Sequence, residues 1–352
     1  ADAAMVVIDT REPVLPKYRA EIEILSWCAK PIMPVLNFVR YLNTRLDDWH
    51  QVLLESGLHA RVEFDVVAPF NGSERQLYSD LATLLPARRQ QLNGIVDALT
   101  LQARERRLAA CRVVASTLID VAAMRRALPA EEFEDDLRQK AFVRAFQDDV
   151  RRHARRAVDE LLAVFAFRPD DAELAEMPQL GGRWEDDLFN PELLKEAGKR
   201  LGLGAMIGAG LGVVADVAMA GLSLGAATTL GATIGGAASG GWRPLWRKLE
   251  NRLAGVQELT VEDPVLLLLA DHLLDLARAL EQRGHAAQDK LRVADERVDE
   301  GLRGVVHALG AARGHPDWER GEGRRGAGST DRQALESEVA RALDQRFEAA
   351  AA

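Results

Sequence analysis

The chain has 352 residues, with 45 basic and 54 acidic side chains, a net charge of −9, two cysteines and 28 glycines. The length suggests two domains, or three. The acidic balance argues against nucleic-acid binding through bulk charge, and Cys28 and Cys111 alone exclude a disulfide scaffold or a cysteine-rich zinc module. Long stretches rich in Ala, Leu, Arg and Glu indicate a mainly helical protein. The opening ADAAMVVIDT lacks a basic region and a long apolar segment, so it is no targeting signal. It enters an apolar run at once, and further residues are expected upstream of Ala1.

Met5–Ile8 is a short apolar run ending in Asp9 and reads as a buried parallel strand. Residues 17–29 carry Ile22, Leu25 and Trp27–Cys28 and predict a helix, closed by Pro31. Residues 32–39 (IMPVLNFV) predict a second buried strand, and 45–57 a second helix. Residues 59–68 alternate apolar Val62, Phe64 and Val66 with charged Arg61, Glu63 and Asp65, the pattern of a half-exposed strand. A turn follows at Asn71-Gly72-Ser73. The order β-α-β-α-β implies right-handed crossovers and a parallel sheet.

The phosphate-binding string GxxxxGK[ST] occurs nowhere. The nearest match, Gly323–Thr330 (GRRGAGST), lacks the lysine, follows no strand and reads as a linker. The run VVIDTREPVLPKYRAEIEILSWCAKPIMPVLNFV resembles the second half of an Era-like, translation-factor-type GTPase domain. More closely, it resembles a bacterial family in which such a domain precedes a long helical domain of unknown function. The resemblance implies that Met5–Asp9 follows switch II. It implies that Ile32–Asn37 leads to the guanine-recognition motif and Val62–Ala68 to the last base-contacting loop. Asn37 falls at the asparagine of the family's NKxD motif, but Phe38, Val39 and Arg40 follow, so a cation stands where a carboxylate would read the base. The P-loop and switches lie outside the chain, so GTP and Mg²⁺ are implied only for a full-length parent. The plainer readings are a turn-capping role for Asn37 and a strand-terminal role for Asp9.

Between Pro86 and Pro129, Leu92, Ile95–Val96, Leu99, Ala110, Val113–Val114, Leu118 and Val121 recur at three-four spacing. They predict one helix of about 40 residues, roughly 60 Å long. Residues 130–167 predict a second helix with an acidic start, paired antiparallel with the first across a turn at Leu128–Ala130. The Arg151–Arg156 cluster reads as a solvated face with partners among Asp148, Asp149, Asp159 and Glu160, phosphate or acidic lipid being the rival reading. Asp149 and His153 share a helical face but lack a third ligand of equal quality for a metal. No HExxH, GxSxG or Cys–His arrangement marks a catalytic centre. Asn190-Pro191-Glu192 has the form of a helix start.

Residues 201–242 hold twelve glycines in 42 positions and a single charge, Asp216. Lys195, Lys199 and Arg200 precede the segment, and Arg243, Arg247 and Lys248 follow it. Gly204–Gly208–Gly212 and Gly221–Gly225 are GxxxG spacings, which let two helix backbones approach closely. Two helices with a bend near Gly221-Leu222-Ser223 are expected. One placement is a glycine-zippered hairpin buried in the helical domain, with Asp216 capped or paired. The other is a hairpin in or on a membrane, where Asp216 would cost about 2.5–3.5 kcal/mol at the bilayer centre. The LSLGA stretch, Leu222–Ala226, has a counterpart in the resembled family. Thr260–Pro264 starts a further helix running to about 282, and another is expected over 285–312. Gly314–Asp331 reads as disordered, with a loose helix over 331–352.

The expected architecture is mainly α. Residues 1–72 form the second half of a GTPase-like parallel α/β domain. Residues 73–313 form a helical domain containing the hairpin 201–242, and 314–352 a flexible tail. No catalytic residue, metal ligand or cofactor is expected in this chain, nor nucleic acid as a partner. The resemblance implies the C-terminal regulatory or effector portion of a bacterial GTP-binding protein, coupling nucleotide state to the helical module. Such a protein would be cytoplasmic, and peripheral or integral at the inner membrane through 201–242. The alternative is a non-enzymatic helical membrane-associated or scaffolding protein.

Overall fold

The computed structural model describes residues 2–39, 41, 43–65, 72–167, 184–201, 222–224, 256–281, 296–320 and 329–349. The protein is mainly helical, with a small parallel three-stranded sheet near the N-terminus. It divides into two compact units, Ala1–Arg106 with Ala279–Arg292, and Arg107–Arg278 with Val293–Ala352.

In the first unit, β1 (Ala4–Asp9), β2 (Ile32–Asn37) and β3 (Val62–Glu63) form a parallel sheet in that order. β1 and β2 pair from Ala4 opposite Ile32 to Asp9 opposite Asn37, and β3 joins with Val62 opposite Val35. The crossovers are α1 (Pro16–Trp27) and α2 (Leu46–Glu55); α3 (Ser73–Leu84) follows β3. Pro16 opens α1, where its missing N–H has no helical partner to lose. The period of two divides the core between the faces of the sheet. Ile8 and Leu36 pack with Ile22, Trp49, Val52 and Leu53 from α1 and α2. Met33, Val35 and Val62 pack with Leu77, Leu81 and Leu84 of α3.

One part of this sheet is uncovered. Register sets Met5 beside Met33 and Val7 beside Val35, hence on the α3 face, yet Met5 is 48 % and Val7 66 % exposed. Among the described residues, the outer edge of β1 has no strand partner. β2 stops at Asn37, short of the predicted 39, because Phe38 turns to a left-handed φ of 60°. Of the strand predicted over 59–68, only Val62–Glu63 pairs; residues 66–68 lie outside the described residues.

Helix α4 (Arg89–Ala123) is 35 residues long, and its second half belongs to the second unit. Thr117 to Met124 are all buried. The predicted helix to Pro129 is corrected here: the chain leaves α4 and forms β4 (Arg125–Pro129). A second correction concerns Leu222–Leu224, expected at a bend between helices, which form strand β5. Both flank β6 (Val256–Val261) in an antiparallel sheet ordered β4-β6-β5. The first strand is held by charge as well as backbone: Arg125 reaches Glu258 diagonally across the ladder at 3.0 Å. The antiparallel helical hairpin expected across Leu128–Ala130 therefore gives way to a strand at its turn.

The short α5 (Ala130–Phe133) leads to α6 (Asp136–Val164), whose N-cap Asp135 accepts from the Leu137 amide at 2.9 Å. α6 buries Val143, Phe146, Val150, Ala154, Ala157 and Leu161, one helical stripe. On its outer side Arg151 pairs with Asp148 at 2.9 Å and Arg152 with Asp149. These two contacts run i to i+3, within the helix. After α7 (Trp184–Asp187), α8 (Pro191–Arg200) begins as its sequence indicates, with Asn190 accepting from the Glu192 amide at 2.9 Å. α9 (Asp263–Glu281) buries Leu266, Leu269, Leu273, Leu276 and Leu280 among others. Among the described residues, no helix is long and apolar enough to cross a membrane.

The segment from 314, expected as a flexible tail, carries α11 (Thr330–Ala349), which packs on α10 (Glu296–Ala308). Leu335, Val339, Leu343 and Phe347 bury one stripe of α11. On the same helix Arg332 is 1 % exposed, and all three guanidinium nitrogens donate. Its Nη2 donates to Asp120 at 2.7 Å and Ser116 at 3.2 Å, Nη1 to Glu336 at 2.8 Å, and Nε to the Trp318 carbonyl at 3.2 Å. Nearby, Arg126 donates to both carboxylate oxygens of Glu319, at 2.7 and 2.8 Å, while His153 lies 3.7 Å from it.

Candidate functional site at the carboxyl end of the parallel sheet

In open α/β sheets, ligands bind beyond the carboxyl ends of the strands. Here those ends are Asp9 and Asn37, side by side by register. Arg11 follows Asp9 by two residues and turns back onto it. Its Nε lies 2.9 Å and its Nη2 2.7 Å from the two carboxylate oxygens, and its backbone N–H donates at 3.0 Å. The hydrogen bonds from Arg11 hold the Asp9 carboxyl below its usual range.

The same guanidinium lies 3.7 Å from the centre of the Phe38 ring and 5.1 Å from that of Tyr41. The two rings meet edge to face, 5.8 Å apart. Phe38 reaches this position through its left-handed backbone, a conformation that costs a bulky residue about 1–2 kcal/mol. The stack offsets that cost.

Asn37 is 8 % exposed. Its side-chain oxygen accepts from the Phe38 amide at 2.9 Å, and its carbonyl accepts from Thr10 Oγ1 at 2.7 Å and the Thr10 amide at 3.1 Å. The asparagine thus pins the turn that leaves β2. Arg40, the cation at the departure from the guanine-recognition pattern, lies outside the described residues, as do Gly204, Gly208, Gly212, Asp216, Gly221 and Gly225. Sequence reasoning missed the Arg11–Phe38–Tyr41 stack. The three residues are spread over thirty positions of chain, and only the parallel register brings them together. Among the described residues, no group of three or more metal-binding side chains is found.

No curated protein and no solved structure matches the chain significantly. A family model described as "Domain of unknown function (DUF3482)" matches residues 50–341, which takes in α3, α4, both edges of the antiparallel sheet and most of α11. The chain belongs to that family.

Proposed function

We propose that this chain is the regulatory or effector portion of a GTP-binding protein, coupling nucleotide state to the helical module. One observation carries the reading most directly: the uncovered β1. Parallel sheets are buried on both faces because their crossover helices cover them. Met5 and Val7 lie bare on the α3 face, and among the described residues the β1 edge has no strand partner, which suits a larger parallel sheet continuing past β1. The sequential strand order and the resemblance of residues 6–39 support the same reading. A P-loop and switches would then be supplied by the continuation, since GxxxxGK[ST] is absent from these residues.

The test is calorimetric titration of a polypeptide extended upstream of Ala1 with GTP and GDP in the presence of Mg²⁺. Saturable binding is expected in the extended protein and not in the 352-residue chain. An upstream reading frame without GxxxxGK[ST], or an extended protein that binds neither nucleotide, removes the proposal.

Membrane association is a second reading, supported by the nearly uncharged, glycine-rich 201–242 and its basic flanks. Flotation with anionic and neutral vesicles decides it; recovery only in the lipid-free fraction with both compositions excludes it.

A further inference from the structure

Helices α8, α9 and α11 of the second unit bring the guanidiniums of Arg200, Arg278 and Arg346 onto the carboxylates of Asp271 and Asp275. Asp271 is divided between two of them: Oδ1 accepts from Arg346 Nη2 and Oδ2 from Arg200 Nη1, each at 2.7 Å. One helical turn further along α9, Asp275 accepts from Arg278 Nη1 at 2.9 Å, and Arg278 Nη2 donates to the Arg346 carbonyl at 3.3 Å. The side chain of Arg346 is 8 % exposed. Its Nε and Nη1 are closed to solvent and have no hydrogen-bond partner, and Arg278 Nε is in the same condition. Among the described residues, Arg346 alone leaves two buried guanidinium nitrogens unmet. Both Asp271 oxygens already serve a guanidinium, and Asp344, two residues before Arg346, pairs with Arg107 at 2.7 Å. Burial holds the Arg278 guanidinium below its usual value; Asp275 opposes this, and the positive charge of Arg346 adds to it. Buried donors without acceptors are costly, more so on a cation, and they mark a place where an acceptor is supplied from outside.

We propose that this cluster binds a chloride ion, held by the unmet Nη1 of Arg346 and by the joint charge of Arg346 and Arg278. Nη1 carries two of the three unmet hydrogens on the Arg346 guanidinium. A water molecule would accept them but would leave Arg346 sharing its counterion with Arg200; an anion supplies both the acceptor and the charge. The unmet nitrogens are closed to solvent, so the anion is compact, a single atom rather than a phosphate ester, and it enters by local opening of the helix end. The site belongs to the second unit and does not rest on nucleotide binding by a larger sheet.

The full chain is melted across a series in which sodium chloride replaces sodium gluconate at constant ionic strength, and chloride NMR line broadening is followed in parallel. A saturable rise in melting temperature is expected, with broadening that saturates over the same range. Arg346→Lys keeps a cation for Asp271 but removes the guanidinium donors, and is expected to weaken chloride binding at least roughly tenfold. A wild-type chain indifferent to the exchange of chloride for gluconate overturns the proposal, as does wild-type chloride affinity in Arg346→Lys. Should Arg346→Lys fail to fold, Arg278→Gln decides: weakened binding supports the proposal and undiminished affinity overturns it.

Discussion

Arg332 sits where a cation is tolerated only because every nitrogen of its guanidinium has an acceptor. Replacing it with Met leaves Asp120 buried and without its main partner, and such a break costs about 3–5 kcal/mol. Urea denaturation at pH 7 should show a loss of that size, partly recovered in Asp120→Asn/Arg332→Met. Burial already pushes the Asp120 carboxyl up while Arg332 opposes it. Without Arg332 the folded-state value rises further above the unfolded one, so the variant's deficit should shrink as pH falls. Glu319 behaves in the opposite sense. Burial alone would raise its carboxyl, but the hydrogen bonds from Arg126, with His153 close by, outweigh that and hold it at about 2. A depressed carboxylate stabilises the fold above its unfolded value of 4.5, and the contribution fades as pH falls from there toward 2. Urea midpoints of wild type and Glu319→Gln should therefore differ at pH 7 and converge on approach to pH 2–3; a constant gap would contradict this. Neither arrangement was legible in the sequence. A lone Arg among charged neighbours reads as surface, and only the fold shows that Ser116, Asp120 and Trp318 converge on it. Asn37 was legible as a strand-end residue, whereas Arg11, Phe38 and Tyr41 were not.

At the scale of elements, strongly periodic or capped segments were readable. The α6 stripe, the Asn190-Pro191 start of α8 and the three strands of the parallel sheet all carry local signals: period, cap or an uninterrupted apolar run. The antiparallel sheet does not. Arg125-Arg126-Ala127-Leu128-Pro129 shows no alternation, and its strand is made by a partner more than a hundred residues away. α11 was underrated for a related reason, because a helix that buries arginines looks polar along its whole length. Local capping remains a measurable part of helix stability. Asp135→Ala removes the acceptor for the Leu137 amide and should cost about 1 kcal/mol in chemical denaturation. Asp135→Asn, which keeps an acceptor oxygen, should cost much less.

Among the described residues, each of the two units buries its own apolar side chains, those on both faces of the parallel sheet in the first and those of α4, α9 and α11 in the second. Two cores predict two calorimetric transitions rather than one. Leu36→Ala empties a fully buried position and should remove about 2–5 kcal/mol from the first unit, shifting one transition. Arg332→Met should shift the other. A single transition moved equally by both variants would show that the units unfold together. Length alone suggested two domains or three, and the division inside α4 could not be read, because the helix is continuous across it.

That continuity gives one helix two timescales. The amides of residues 93–105 belong to a stretch of α4 whose side chains are mostly exposed, so they exchange with deuterium through brief local openings. The amides of 117–123 are enclosed on every side and exchange only when the second unit opens as a whole. Along some thirty consecutive residues of unbroken hydrogen bonding, protection should climb from the cost of a local fluctuation to the full stability of a domain.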